Sequence, residues 1–174
     1  MTDNAADGRA ITEIQMGAAA APEPTVVVAA TLADAAGLAE VAFGAAKDVP
    51  GTIIVTTLGT GIGSAVIVDG TLVPNTELGH LEIDGYDAES RASAGQRTAQ
   101  DLSWKKWAKR LQRYYAHVEM LFSPDLFVVG GGVSRKHEKY LPLLDLKTPI
   151  VPAQLLNTAG IVGAAYQASR ARAS

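Results

Sequence analysis

The stretch TIIVTTLGTGIGSAVIVDGTLV, from Thr52 to Val73, leaves this chain little choice of fold. Its two β-branched runs, Thr52 to Thr57 and Ser64 to Val68, have the length and side-chain type of buried strands. Glycines separate the first run from the second. Asp69-Gly70 then forms a two-residue turn of the kind whose twist matches that of flanking strands. An antiparallel meander is predicted.

The flanking segments alternate between helical and strand periods. TVVVAA (Thr25 to Ala30) reads as a short buried strand, and Leu38, Val41, Ala42 and Ala45 recur at helical spacing after it. Residues 74–97 are polar and irregular, punctuated by Pro74, Asn75, Gly79, Gly85 and Gly95. Such long loops in compact domains commonly carry function. A long helix is expected from about Gln100 to Phe122. Trp104, Trp107, Leu111, Tyr115, Val118 and Phe122 lie on one side of it, and Lys105, Lys106, Lys109, Arg110 and Arg113 on the other. Asp125 to Val129 is a strand stopped by Gly130, Gly131 and Gly132, with a helix expected after Val133-Ser134. Thr148 to Val151 reads as a further strand and Thr158 to Arg170 as a closing helix. The class is α/β. Residues 1–24, with an alanine run and Pro22 and Pro24, read as a poorly ordered leader, and residues 25–174 as one domain.

Composition removes several functions. At 174 residues, 48% apolar, with a net charge of -3, the chain describes one soluble globular domain. Zero cysteines exclude disulfides, thiolate nucleophiles and thiolate-bound zinc, and fit a reducing compartment. No apolar run reaches the ~18 residues of a membrane span. No signal or transit peptide is read, so a cytoplasmic location is expected. The weakly acidic balance argues against a nucleic-acid binder.

Three clusters carry chemistry. Leu58-Gly59-Thr60-Gly61-Ile62-Gly63-Ser64 could turn sharply and aim unhindered backbone N–H groups and a hydroxyl at a phosphate. It is no Walker loop, because no Gly-Lys-Ser/Thr follows. It also lacks the helix-opening G-x-G-x-x-G of dinucleotide sites. A plain tight hairpin stays open as the alternative. Gly130 to Gly132, at the carboxyl end of a strand, would admit a ligand close to the backbone or mark an awkward turn. Glu77, His80 and Glu89 could bind vicinal sugar hydroxyls, since carboxylates accept two hydroxyl protons and the imidazole donates or accepts. A divalent metal and a solvated loop are the rival readings there. His117 and His137 stand alone and are read as surface or packing residues.

In order along the chain, the strings LGTGIGSAVIVDGTLVPNTELGHLEIDGYDAESRAS, LSWKKWA, PDLFVVGGGVS and TPIVPAQLLNTAGIVGAA closely resemble polyphosphate glucokinases, a branch of the ROK family of sugar kinases. The resemblance spans about residues 31–168. It implies an actin-like ATPase (ribonuclease H-like) fold, a mixed sheet flanked by helices, with the first domain largely missing. It further implies phosphoryl transfer from polyphosphate or ATP, with Mg2+, to the 6-hydroxyl of glucose, and a homodimer. Gly59, Thr60, Gly61 and Gly63 match the family's second phosphate loop, and Gly130, Gly131 and Gly132 its nucleotide-side turn. Glu77 and His80 match the sugar-binding Glu-x-Gly-His, and Glu89 the glutamate completing the sugar contacts. The zinc loop of many family members is excluded by the absent cysteines.

Two departures bear on activity. The family's Asp-x-Gly-Gly-Thr phosphate turn occurs nowhere in the sequence, and Leu32 stands where the family places its general base. Asp34, two residues on at a strand-to-helix turn, should point elsewhere. No catalytic residue is therefore assigned, and the chain alone is expected to be weak or inactive. The alternative is a non-catalytic sugar-binding or regulatory ROK-type module. The cations of the long helix are read as a solvated face rather than a track for polyphosphate.

Overall fold

The computed structural model describes residues 31–155. The leader 1–24, the strand Thr25 to Ala30 and the helix Thr158 to Arg170 lie outside the described residues. In chain order the elements are α1 (Leu32–Phe43), β1 (Thr52–Leu58), β2 (Ile62–Val68), β3 (Thr71–Val73), β4 (Glu82–Ile83), β5 (Tyr86–Asp87), α2 (Glu89–Ala92), α3 (Ala94–Ala99), α4 (Trp104–Phe122), β6 (Leu126–Gly130) and β7 (Ile150–Pro152). The main sheet runs β3-β2-β1-β6-β7, and β4 and β5 form a separate ladder.

The meander is present as expected. β1 pairs antiparallel with β2, and β2 with β3, while β6 runs parallel to both β1 and β7, so the sheet is mixed. Asp69 and Gly70 sit at φ 47° and 77°, both positive as the tight turn requires. Side chains alternate across a strand, and the alternation builds two cores. Ile53, Val55, Ala65, Ile67 and Val128 pack with Leu38 of α1 on one face. Ile54, Leu58, Ile62, Val66, Phe127 and Val129 pack on the other with Trp107, Leu111, Tyr115 and Val118 of α4. Each valine, leucine, isoleucine or phenylalanine among them contributes roughly 1.5–3 kcal/mol when fully buried.

Helix ends explain where the elements depart from the sequence reading. α4 begins at Trp104 rather than near Gln100. The Ser103 hydroxyl accepts the Lys106 N–H as its cap, and Asp101, at φ 45°, breaks the chain just before. Trp104 is half-buried and Phe122 exposed, so the buried stripe is narrower than the apolar one, and it also takes in Ala108 and Tyr114. Residues 74–97 are more regular than expected, since they hold a single-turn 3-10 helix at Leu78–His80 together with β4, β5, α2 and most of α3. The helix expected after Val133-Ser134 is a run of 3-10 turns, Gly132–Lys139, with Lys136 outside helical angles. The backbone N–H and hydroxyl of Ser134 both donate to the Gly131 carbonyl, a local bond that competes with an α-helical start.

α1 is fastened at both ends. Thr31 and Asp34 form a reciprocal capping box. Near its other end the fully buried Glu40 accepts N–H bonds from Ala45, Gln154 and Leu155, at 2.7, 3.1 and 2.8 Å, tying the helix to the chain beyond β7.

Candidate functional site

Strand register places the glycine clusters together. Leu58 pairs with Ile62 across the first glycine turn, and Thr57 pairs with Gly63 on one side and Gly130 on the other. Both turns therefore open at one end of β1. A cavity of about 300 Å³ lies there, walled by Thr57, Gly59, Gly61, Ile62, Gly63 and Gly131, with Glu77 and Glu89 as its carboxylates.

Two glycines are required by the geometry. Gly131 has φ 84° and ψ 172°, and a Cβ there would sit 2.7 Å from the Leu58 nitrogen. At Gly61 a Cβ would collide with the Glu89 carboxylate. Glu89 opens α2 and accepts the Ile62 N–H at 3.0 Å, so it is bonded directly to the glycine turn. Glu77 is held by its neighbours. The buried Ser64 hydroxyl of β2 donates to the Thr76 carbonyl at 2.6 Å and accepts the Leu78 N–H at 2.8 Å, gripping the chain on either side of it.

His80 is exposed and lies at the end of the 3-10 turn. Its Nδ1 meets Asp87 Oδ2 at 2.8 Å, while Asp87 Oδ1 accepts the N–H groups of Glu89 and Ser90 at 3.1 and 3.3 Å. One ligating atom each from His80, Asp87 and Glu89 lies within 4.8 Å of the others. The hydrogen bond to Asp87, followed by the charge of Glu89, raises the His80 pKa above its usual 6.5. The same bond lowers that of Asp87 below 3.8. A mixed nitrogen and oxygen set of this kind suits sugar hydroxyls or a divalent cation.

The expected residues are thus distributed unevenly. Gly59, Gly61, Gly63, Glu77, Glu89 and Gly131 share the cavity, with His80 beside Glu89. Thr60 is exposed at the tip of the turn, Gly130 is the buried last residue of β6, and Gly132 is exposed. Asp87 and Ser64 were not anticipated. An Asp two residues before Glu89 and followed by Ser90 is a helix-entry signal, and it was the available clue.

α1 reaches the same end of the sheet, since a Cβ at Gly63 would come 3.1 Å from that of Ala33. Its neighbour Leu32 is 83% exposed, whereas Asp34 is fully buried in the capping box. Of the five α4 cations, Arg113 pairs with Asp84, and Arg110 donates to the Arg91 carbonyl and to Gln100; Lys105, Lys106 and Lys109 are exposed. Among the described residues no helix is long and apolar enough to cross a membrane.

Residues 24–97 match the ROK family. The chain is 56% identical over 133 residues to a polyphosphate glucokinase of Mycobacterium tuberculosis (strain CDC 1551 / Oshkosh), a match covering 76% of this chain and 50% of that protein. The chain is similar to ROK family proteins over these residues. Its structure superposes on the inorganic polyphosphate/ATP-glucomannokinase of Arthrobacter sp. strain KM with a TM-score of 0.78 and 63% identity, over 79% of this chain and 55% of that one. A ROK family glucokinase from Streptomyces griseus, at 21% identity and a TM-score of 0.64, covers 83% of this chain and 67% of its own, and shares the fold. The mixed sheet flanked by helices is accordingly that of the actin-like ROK sugar kinases. The chain spans about half the length of the curated polyphosphate glucokinases it matches.

Proposed function

We propose that this chain forms the sugar- and phosphate-binding part of a glucokinase-type phosphotransferase, moving a phosphoryl group from polyphosphate or ATP to the 6-hydroxyl of glucose. The observation that carries the reading is the convergence of the glycine turn, Gly131, Glu77 and Glu89 on one cavity, with His80 beside Glu89. The carboxylates would accept sugar hydroxyl protons, and the imidazole would exchange one hydrogen bond with the same ring. Backbone N–H groups of the glycine turn would hold phosphoryl oxygens. Mg2+, arriving with the donor, would take oxygen ligands and offset phosphate charge; Glu77 and the Thr57 hydroxyl are the cavity's oxygen donors not already committed to the Glu89 network.

Proton removal is where the chain falls short. Leu32 cannot accept a proton, and Asp34 is buried with one oxygen bound to the Thr31 N–H. Loss of a general base costs about 10² to 10⁴ in rate, so the chain alone should be a weak or inactive kinase. The exposed Leu32 favours a second reading, a sugar-responsive module without turnover. A reducing, cytoplasmic setting fits the absence of cysteine.

Calorimetric titration with glucose, beside a glucose 6-phosphate assay with polyphosphate and with ATP, tests these readings. Binding that Glu89→Ala abolishes supports the site. Turnover equal to that of a full-length relative refutes the claim of weakness, and no binding at all refutes the sugar site. Binding with no turnover in either native chain or Leu32→Asp favours the regulatory reading.

A further inference from the structure

We propose that Asp87 is the positioning residue of this site, a carboxylate that fixes the orientation and tautomer of His80 while it anchors Glu89. The inference rests on the sugar-binding reading and assigns a role to a residue outside the expected set. β4 and β5 are joined by Asp84 and Gly85, both at positive φ, and pair Glu82 with Asp87. This ladder returns the chain so that Asp87 stands beside His80, seven residues earlier. Its two oxygens are then divided. Oδ2 takes His80 Nδ1 at 2.8 Å, and Oδ1 takes the first N–H groups of α2, those of Glu89 and Ser90. The Ser90 hydroxyl closes the arrangement by donating to the Asp87 carbonyl at 2.6 Å.

The chemistry follows from which nitrogen is engaged. A carboxylate against Nδ1 keeps the proton there, so the neutral ring presents Nε2 as an acceptor toward a hydroxyl. His80 needs such a partner because its side chain is 58% exposed, and an untethered imidazole in that position would rotate and interchange tautomers. Glu89, whose own Oε2 is bonded to Ile62, is held at its backbone by the same Asp87 group. One carboxylate therefore sets the spacing between two sugar-binding side chains. An ordinary exposed ion pair would do neither, and its removal would be felt weakly and only in stability.

The discriminating variant is Asp87→Asn. Its amide oxygen can still accept the Glu89 and Ser90 N–H groups, so α2 should start as before, while the charge on Nδ1 is lost. In the native chain, 15N shifts of His80 should report the Nδ1–H tautomer without any ligand present. Asp87→Asn should shift the ring toward Nε2–H. At a pH above the His80 midpoint, where the ring is neutral, glucose affinity measured by calorimetry should fall by about 10-fold or more, the scale seen for carboxylates behind metal-ligating histidines, with the urea midpoint nearly unmoved. Asp87→Glu should recover part of it. A native His80 in the Nε2–H form overturns the proposal, and so does glucose affinity unchanged in Asp87→Asn. A native chain that binds Zn2+ but not glucose overturns the sugar reading and the proposal with it, whereas native glucose binding with an indifferent Asp87→Asn overturns this proposal alone.

Discussion

Replacing Gly131 by alanine should lower stability far more than the same change one residue on. At φ 84° and ψ 172°, Gly131 occupies a region that side-chain-bearing residues enter only at a cost of about 1–3 kcal/mol. The added Cβ would also lie 2.7 Å from the Leu58 nitrogen and 2.8 Å from its carbonyl carbon. Leu58 cannot yield easily, because it is the buried last residue of β1 and pairs with Ile62. Forcing a methyl into such packing typically costs a further 1–3 kcal/mol. The sum is about 2–6 kcal/mol, and with a urea slope near 2 kcal/mol/M the midpoint should fall by roughly 1–3 M. Gly132 meets nothing within 4 Å, so Gly132→Ala should stay within about 0.5 kcal/mol of the native chain. Urea unfolding followed by circular dichroism compares the two directly. Coincident midpoints for the two variants would refute the claim that close backbone approach at Leu58 is what demands glycine.

Gly61→Ala should separate binding from stability. Its Cβ collides with the end of the Glu89 side chain rather than with backbone, so the urea midpoint should barely move while glucose titration weakens about 10-fold through loss of the Ile62 bond. Glu40→Ala strands three backbone N–H groups at a buried junction and should cost about 3 kcal/mol or more in chemical denaturation. His80, raised by Asp87 and Glu89, contributes stability fully below pH 6.5 and loses it as pH rises through the higher folded value; Asp87, lowered by the same bond, contributes above pH 3.8 and loses it only as pH falls through its depressed value. An NMR titration of His80 should show its midpoint above 6.5 and dropping in Asp87→Asn. Leu32→Asp, next to the Ala33 that borders Gly63, should raise glucose 6-phosphate formation by about 10² or more, and an unchanged rate would refute a missing base as the limit on turnover and favour the regulatory reading.

The meander and the buried stripe of α4 were legible because both rest on local periodicity. Thr52 to Val73 alternates across a sheet whatever packs on it, and Asp69-Gly70 dictates its own turn. α4 starts later than the polar pattern through Gln100 and Asp101 implies, because the cap at Ser103 decides the first turn. The triple glycine looks like one unit in the sequence, yet of the three only Gly131 faces a backbone obstacle at positive φ. Glu77, His80 and Glu89 stand out as two carboxylates and an imidazole beside a glycine loop and also match the sugar-binding motif of the resemblance, whereas Asp87 does neither. Its role depends on a ladder of two residue pairs, too short to leave a period, and on a turn that folds it back against His80. The Ile62 bond of Glu89 spans 27 residues and is equally invisible to local pattern.

The indole of Trp107 donates to the carbonyls of Ala92 and Ser93, at the junction just behind Glu89, and Trp104 lies 5.9 Å away beneath the Arg97 guanidinium. Since the sequence contains two tryptophans and no more, all of its indole emission originates at this one seam. The protein thereby carries a native optical gauge for the seating of α2: intensity and wavelength should respond when a guest tightens or loosens that joint, with no dye attached.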